Sequence, residues 1–262
     1  MSIALPARAK LNLDLAVLGR RTDGFHDVRT TLQAIDLHDL ITFAPAQETT
    51  LTTSGLPLAN TTHNSVLKAQ AALERTTNQH LPTHIHLHKR IPPGSGMGGA
   101  SSDAATTLQA LATLHRVTAD LPSIASTLGA DVPFFLTGGT AIADQRGDHL
   151  TPIPTPPQWF ALAWPGIVLP TPDVYRTWDD MENPDASEPN QLTEAAMRIE
   201  PRLKEFAHAL NSHDASNRWQ MTGSGSAFFL RCAGEQAARE RAAELKSLKC
   251  WTAIAQTVGP WA

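Results

Sequence analysis

A glycine-rich segment, "IPPGSGMGGASSD" (residues 91–103), carries the residues of this sequence best suited to bind phosphate. It lies between a stretch with strand-like alternation, "THIHLHKRI", and a stretch with helical spacing of apolar residues, 104–115. A strand–loop–helix junction exposes unpaired N–H groups at the positive end of the helix dipole, and glycine lets the backbone approach a ligand closely. The segment therefore predicts a phosphate-binding loop, with Ser101, Ser102 and Asp103 as N-terminal residues of the following helix.

Two familiar phosphate-binding motifs do not account for this segment. Gly94, Gly96 and Gly99 spell GxGxxG, but the second strand that a dinucleotide fold needs is barely apolar and supplies only Asp120. No lysine lies between Gly94 and Asp103, so the P-loop signature is absent. A glycine-rich turn that merely permits tight packing remains the alternative, although the hydroxyl groups at the helix start exceed what a turn requires.

Three histidines, His84, His86 and His88, alternate along the strand that precedes this segment and share one face of it. Imidazoles bind zinc, but residues in line on one strand spread out along it, and neither a carboxylate nor a thiol accompanies them. A polar strand face is the better interpretation, and no metal site is predicted here.

The remaining patterns predict the elements that position the loop. Alternating apolar residues predict a strand over residues 11–19, followed by a turn at Asp23-Gly24 and a second strand over residues 27–43. The stretch "HNSVLKAQAALERTT" predicts a helix capped by Asn64 or Ser65, and "GEQAARERAAELKSLK" predicts a solvated outer helix. The proline-rich "HLTPIPTPPQW" predicts a division into two domains, residues 1–150 and 151–262.

Composition limits the kinds of binding partner and of cellular compartment that are expected for the protein. The chain has 262 residues, a formal net charge of −4, and two cysteines that form no CxxC motif. A net negative charge gives no field that attracts nucleic acid, so a small-molecule partner is expected. The segment "MSIALPARAK" lacks the long apolar region and the small-residue cleavage site that are typical of a signal peptide, and no apolar run is long enough to span a membrane. We therefore expect a cytoplasmic protein that binds neither nucleic acid nor membrane, and that is a monomer or a weak homodimer.

Three ordered segments resemble the signatures of one kinase superfamily, the GHMP kinases, named for galactose, homoserine, mevalonate and phosphomevalonate. They are "ARAKLNLDL", "PPGSGMGGASSDAA" and "MTGSGSAFFLRC". The stretches "DGFH", "LGADVPFF" and "VLPTPDVY" resemble more narrowly the branch that serves the non-mevalonate isoprenoid pathway. The resemblance implies an α+β, two-domain fold with the active site in the cleft between the domains. It also implies ATP-dependent phosphorylation of the 2-hydroxyl group of a cytidine diphosphate-linked methylerythritol.

The resemblance also assigns the catalytic and nucleotide-binding residues. Asp131 would act as the general base for the acceptor hydroxyl, and Lys10 would orient it and stabilise negative charge. Mg²⁺ is expected with ATP, without an assignment of its ligands. Asp103 stands where some members have asparagine, a change that would alter the charge near the ion. The ATP phosphates would be held by Pro93, Gly94, Ser95, Gly96, Met97, Gly98, Gly99, Ala100, Ser101 and Ser102.

Substrate recognition is expected at the cytidine end. By the same resemblance, Phe25 and Tyr175 would sandwich the cytosine ring, His26 would hydrogen-bond the base edge, and Asn12 and Thr171 would line the substrate site. The alternatives are a core phenylalanine beside a hairpin turn and a surface tyrosine. Another small-alcohol kinase of the superfamily and a nucleotide sensor without catalysis are the competing functions, and a dinucleotide-dependent dehydrogenase is a distant third.

Overall fold

A computed structural model describes residues 2–58, 64–182, 184–212 and 218–261. Its strands form two sheets. The strands of the first sheet are β1 (Ile3–Asn12), β2 (Ala16–Arg20), β3 (His26–Pro45), β4 (Thr50–Gly55), β5 (Thr83–Lys89), β6 (Thr140–Asp144) and β7 (His149–Ile153). Those of the second sheet are β8 (Trp159–Trp164), β9 (Gln220–Met221), β10 (Phe228–Cys232) and β11 (Trp251–Gln256).

Helices pack on both sheets. They are α1 (Ser65–Thr77), α2 (Gly99–His115), α3 (Leu121–Leu128), α4 (Phe134–Thr137), α5 (Thr171–Asp179), α6 (Thr193–Ile199), α7 (Pro201–Ser212) and α8 (Glu235–Glu244), which continues into a 3₁₀ turn, Leu245–Leu248. No helix in the part of the chain that the structure describes is long and apolar enough to cross a membrane.

The first sheet is organised around β3, the longest strand. It pairs antiparallel with β1, β2, β5 and β6. The predicted hairpin is confirmed, because β2 and β3 pair around the turn at Asp23-Gly24. In the β1–β3 register Lys10 lies opposite Ala34 and Asn12 opposite Leu32. This pairing fixes both polar side chains at the end of β1, beside the loop that precedes α2.

The predicted strand over residues 11–19 is wrong in its bounds. The structure has β1 ending at Asn12 and β2 beginning at Ala16. The break lies at Asp14, whose carboxylate accepts hydrogen bonds from the Thr31 backbone N–H (2.6 Å) and the Thr31 hydroxyl (2.8 Å). The Leu15 N–H then donates to the Pro189 carbonyl (2.7 Å) rather than to β3. Alternation alone predicts one strand, whereas these side-chain and long-range bonds divide it.

Both predicted helix starts are present. Asn64 caps α1, since its side chain accepts the Val66 N–H at 2.9 Å. The helix after the glycine-rich segment is confirmed, but it begins at Gly99, with Gly98 in the left-handed conformation (φ 72°) as its N-cap. Ser101, Ser102 and Asp103 therefore lie inside the helix, and they do not cap it. The N-cap glycine has no side chain that could accept the first N–H groups of α2.

A shared apolar cluster joins the two sheets. Leu11 and Ile35 of the first sheet pack in one buried cluster with Phe160, Leu162 and Phe229 of the second. Each of these large side chains contributes on the order of 2 kcal/mol by leaving water. The two sheets are therefore held together by core packing. The first sheet ends at Ile153, so the predicted division at residue 150 lies within β7. The division into two domains stays a prediction.

Candidate active site

A cleft of about 860 Å³ opens between the loop before α2, the β2–β3 turn, α5 and the turn at residues 222–226. It brings together side chains from distant parts of the sequence. The predicted site residues that line it are Lys10, Asn12, Phe25, His26, Pro93, Gly94, Ser95, Gly96, Gly98, Gly99, Ala100, Ser101, Asp131, Thr171 and Tyr175.

Met97 and Ser102 are the predicted site residues that do not line the cleft. The Met97 side chain is fully buried in the cluster that joins the two sheets. The Ser102 side chain is also buried, and its N–H donates to the Gly98 carbonyl (2.9 Å) as the first helical bond. The tight turn into α2 points both side chains into the protein. The contact with phosphate that was expected from the Ser102 hydroxyl has no support in this geometry.

The phosphate loop, which we define as residues 90–98, is held by backbone hydrogen bonds to two other segments of the chain. The Lys10 N–H donates to the Met97 carbonyl (3.0 Å), and the Ala227 N–H donates to the Ser95 carbonyl (2.9 Å). The loop leads directly into α2, whose first N–H groups have no intrahelical acceptors. Free N–H groups at a helix start are well suited to bind an anion. The loop in front of them is held by β1 and by the residue that precedes β10.

Two glycines are required where the phosphate loop meets the turn at residues 222–226. A Cβ on Gly96 would lie 2.9 Å from the Gly225 carbonyl oxygen and closer still to that of Thr222. A Cβ on Gly223 would lie 2.9 Å from the Gly96 carbonyl oxygen and 3.3 Å from Lys10 Nζ. Both residues have positive φ, 81° and 58°. The close approach of the two backbones therefore depends on the missing side chains.

Lys10 and Asp131 form an ion pair in the cleft. Lys10 Nζ lies 3.6 Å from Asp131 Oδ2, and the lysine side chain is 4% exposed whereas that of the aspartate is 38% exposed. The lysine side chain therefore lies beside a carboxylate that is open to the cleft. An ionised carboxylate open to the cleft is a suitable proton acceptor for an alcohol.

Asn12 connects Lys10 to the rest of the protein. Its side-chain oxygen accepts a short hydrogen bond from Lys10 Nζ, and its Nδ2 donates to the Thr30 hydroxyl at 2.8 Å. Its backbone N–H donates to the Thr222 hydroxyl at 2.9 Å. The Asn12 side chain is thus engaged in holding the lysine. Its expected contact with substrate stays a prediction.

Aromatic side chains also line the cleft. The Tyr175 ring stacks on His26, with ring centroids 4.8 Å apart and an interplanar angle of 23°. Burial, with a smaller effect from the charge of Asp131, raises the pKa of Tyr175. The Phe25 ring is 54% exposed, and the Arg146 guanidinium lies 5.2 Å from its centroid. Phe25 is therefore not a core residue, and both Phe25 and Tyr175 line the cleft.

The three histidines of β5 have hydroxyl partners on β4. His84 pairs with Thr50 (2.7 Å), His86 with Thr52 (2.9 Å) and His88 with Ser54 (2.9 Å). These bonds agree with a polar strand face.

Thr171, the first residue of α5, also lines the cleft. Its hydroxyl lies 2.8 Å from that of Ser224. This bond ties α5 to the turn at residues 222–226, so the helix that carries Tyr175 is fixed relative to the phosphate loop.

Comparison with known proteins matches the chain to a kinase superfamily and to one family within it. The family model for the GHMP kinases N-terminal domain matches residues 64–139, which contain the phosphate loop, α2 and Asp131. A protein of Chromohalobacter salexigens named 4-diphosphocytidyl-2-C-methyl-D-erythritol kinase is 36% identical over 253 residues, covering 90% of this chain and 85% of the relative. The protein of the same name from Moorella thermoacetica is 35% identical, covering 98% and 99%.

The chain belongs to the 4-diphosphocytidyl-2-C-methyl-D-erythritol kinase family. A crystal structure of 4-(cytidine 5′-diphospho)-2C-methyl-D-erythritol kinase superposes with a TM-score of 0.82 at 35% identity, covering 98% of this chain and all of the other. Homoserine kinase from Cytophaga hutchinsonii superposes with a TM-score of 0.69 at 16% identity, which reflects the shared fold. The α+β GHMP kinase fold that the resemblance implied is confirmed.

Sequence reasoning missed an ionic cluster beneath the phosphate loop of this family member. Lys89 Nζ lies 2.8 Å from Asp103 Oδ2 and forms a short ion pair with Asp39, and all three side chains are buried. Asp39 also accepts the N–H groups of Arg90 (2.5 Å) and Ile91 (2.9 Å). The cluster therefore joins both ends of the phosphate loop to β3. Asp103 was expected near the ion, but its carboxylate packs against Lys89.

The charge balance of this cluster perturbs two pKa values. Burial raises the pKa of Asp103 to about 7, with a further rise from Asp39, although the nearby Lys89 charge lowers it. Burial opposes the charge of Lys89, but the two carboxylates outweigh it and raise the pKa of the lysine. The spacing of Asp39 and Lys89 along the chain gave no signal that they meet.

The cleft fits a magnesium ion that arrives with a nucleotide. The described residues contain no group of three side chains suited to hold a metal ion. Mg²⁺ does not need such a group, because it keeps several waters and is bound by one or two protein oxygens plus substrate phosphates. The Ser101 hydroxyl, in the first turn of α2, lines the cleft beside the phosphate loop. A hydroxyl in this position is a known type of magnesium ligand.

Proposed function

We propose that this protein transfers the γ-phosphoryl group of ATP to the 2-hydroxyl group of 4-diphosphocytidyl-2-C-methyl-D-erythritol. Family membership supports this reaction, and the residues of the cleft are suited to phosphate binding, proton transfer and base recognition. The observation that carries the proposal is the Lys10–Asp131 pair, 3.6 Å apart, in the same cleft as the phosphate loop.

In the reaction the acceptor hydroxyl loses its proton and attacks the γ-phosphorus. Asp131 takes the proton, the bond between the γ-phosphorus and its bridging oxygen breaks, and ADP leaves with that oxygen. Lys10 holds Asp131 and offsets negative charge around the reacting groups. The backbone N–H groups of the phosphate loop and of the start of α2 hold the phosphates in line with the hydroxyl. Magnesium, held by the Ser101 hydroxyl and the nucleotide, would neutralise phosphate charge.

The aromatic end of the cleft supports a cytosine-containing acceptor. Phe25 and Tyr175 offer two ring faces of the kind that stack on a planar base. His26 lines the same cleft, and Tyr175 stacks on its ring. We place the base there and the methylerythritol chain toward Asp131. The protein acts as a monomer or weak homodimer in the cytosol, where its two free cysteines, Cys232 and Cys250, stay reduced.

The test measures ADP release with Mg-ATP and 4-diphosphocytidyl-2-C-methyl-D-erythritol, hereafter the cytidylyl alcohol. Homoserine, mevalonate and galactose are tested separately as alternative acceptors. We expect turnover with the cytidylyl alcohol alone, and we expect Asp131→Asn to remove most turnover while ATP still binds. Turnover with another acceptor would assign the protein to a sister kinase activity. Tight ATP binding without any turnover would indicate a sensor, and near-normal turnover in a folded Asp131→Asn variant would rule out the proposed base.

A further inference from the structure

His26 is held by a carboxylate that the sequence did not single out. His26 Nε2 lies 2.7 Å from Asp179 Oδ1, and the two residues are 153 positions apart. The His26 side chain is 7% exposed and that of Asp179 is 21% exposed. The contact is therefore well shielded, and it joins the first residue of β3 to the last residue of α5.

Three residues of one helix face surround the imidazole. Tyr175 stacks on the ring, the Trp178 ring meets it edge-on with centroids 6.0 Å apart, and Asp179 bonds to it. Positions 175, 178 and 179 share a helix face by their spacing. Arg20, the partner of His26 in the β2–β3 pairing, places its Nη1 3.7 Å from the second carboxylate oxygen. The positions of the His26 ring and of the Asp179 carboxylate are thus both fixed.

The carboxylate decides which ring nitrogen carries the proton. An ionised carboxylate can only accept, so a contact of 2.7 Å places the proton on Nε2. In the neutral imidazole the other nitrogen, Nδ1, is then an acceptor. The hydrogen bonds among the described residues give Nδ1 no protein partner, and His26 lines the cleft.

An acceptor at Nδ1 distinguishes the two pyrimidine bases. Cytosine presents an exocyclic amino group, a donor, where uracil presents a carbonyl oxygen, an acceptor. A site that hydrogen-bonds one polar group discriminates strongly against the analogue that lacks it. We propose that Asp179 is a positioning residue that sets the His26 tautomer and so makes the cleft select cytosine over uracil. This inference rests on the proposed function, because it names the group that reads the base of that substrate.

The first test is spectroscopic and needs no activity. In ¹⁵N NMR of the labelled enzyme, we expect His26 to carry its proton on Nε2 and to leave Nδ1 unprotonated. Asp179→Ala removes the acceptor, so the ring should then exchange between the two tautomers. Asp180→Ala, a change at the exposed neighbouring carboxylate, should leave the spectrum unchanged. A ring protonated on Nδ1 in the parent enzyme would overturn the proposal.

The second test measures base selection. By calorimetry, cytidine 5′-diphosphate should bind about tenfold or more tightly than uridine 5′-diphosphate, and Asp179→Ala should remove most of that ratio. Asp179→Asn, whose amide either donates or accepts, should also lower the ratio and serves if the alanine variant folds poorly. In a His26→Ala background the Asp179 change should have little further effect. An unchanged ratio in folded Asp179 variants, or additive effects in that cycle, would contradict the inference.

Kinetics separate a positioning role from a structural one. With the cytidylyl alcohol, Asp179→Ala should raise the KM for that substrate about tenfold and leave kcat and the KM for ATP close to the parent values. If kcat fell and the KM for ATP rose by about the same factor as the KM for the cytidylyl alcohol, the effect would be a general structural one and the proposal would be overturned. If the parent enzyme does not phosphorylate the cytidylyl alcohol at all, the proposed function fails, while the NMR and binding tests still decide the role of Asp179.

Discussion

Lys89 Nζ lies 2.8 Å from Asp103 Oδ2, so an ion pair joins the last residue of β5 to the second turn of α2 across the phosphate loop. The short pair with Asp39 extends the link to β3. Removal of one partner from a buried ionic cluster costs more than the cluster contributes in net terms, because it leaves an uncompensated charge. The geometry of the phosphate loop is therefore tied to the stability of the first sheet.

Lys89→Met should destabilise the protein by about 3–5 kcal/mol, since it leaves two buried carboxylates without a cation. Urea unfolding measures the free energy of unfolding of the variant and the parent. Lys68→Met, at an exposed position on α1, is the matched control and should change the value by less than about 0.5 kcal/mol. Equal stability of Lys89→Met and Lys68→Met would show that the cluster contributes no such constraint.

The raised pKa of Asp103 predicts a pH dependence of stability in the protein without nucleotide or metal. Its pKa is about 7 in the fold, against an ordinary aspartate pKa of 3.8. Between about pH 4 and pH 7 the unfolded state has lost this proton and the folded state keeps it. The free energy of unfolding should therefore fall as pH rises through this window, by up to about 1.4 kcal/mol per pH unit.

Asp103→Asn should flatten that dependence, because the amide does not titrate. Chemical unfolding at several pH values between 4 and 8 measures the slope, and Asp180→Asn, a change at an exposed carboxylate, should keep the parent profile. A slope of the same size in Asp103→Asn would mean that another group holds the proton.

The sequence predicts those features that depend on neighbouring residues. The cap of α1 at Asn64 and the start of a helix behind the glycine-rich segment follow from local spacing, and both are present. The contact of His26 with Asp179 and that of Lys89 with Asp39 join residues 153 and 50 positions apart. Such pairs form because sheet register and helix packing bring them together, and no local pattern records them. The break of the first predicted strand at Asp14 has the same origin.

Gly96→Ala should disrupt the contact between the phosphate loop and the turn at residues 222–226. The new methyl group would meet two backbone carbonyl oxygens, and neither can move without shifting the turn. We expect the KM for ATP to rise tenfold or more. A tenfold rise corresponds to about 1.4 kcal/mol of binding free energy. Gly166→Ala is the matched control, because Gly166 has a similar φ of 78° but no atom within 4 Å of the added Cβ.

Both variants carry the strain of a side chain at positive φ, so the difference between them isolates the steric clash. If Gly166→Ala and Gly96→Ala raise the KM for ATP equally, backbone strain explains the effect and the close approach of the two segments is not required. Thermal unfolding of each variant shows whether it is folded at the assay temperature.

Asn12→Ala tests whether Asn12 acts on Lys10 or on substrate. Its side chain bonds Lys10 Nζ and the Thr30 hydroxyl, so its loss should leave the lysine less well placed against Asp131. We expect kcat to fall by about tenfold or more while the KM for the cytidylyl alcohol changes little, since the lost interaction acts in the transition state. Gln79→Ala, at an exposed position, should change neither parameter. A large rise in KM at unchanged kcat would instead support the substrate contact that the family resemblance implied, and Lys10 would then need no help from Asn12 to reach Asp131.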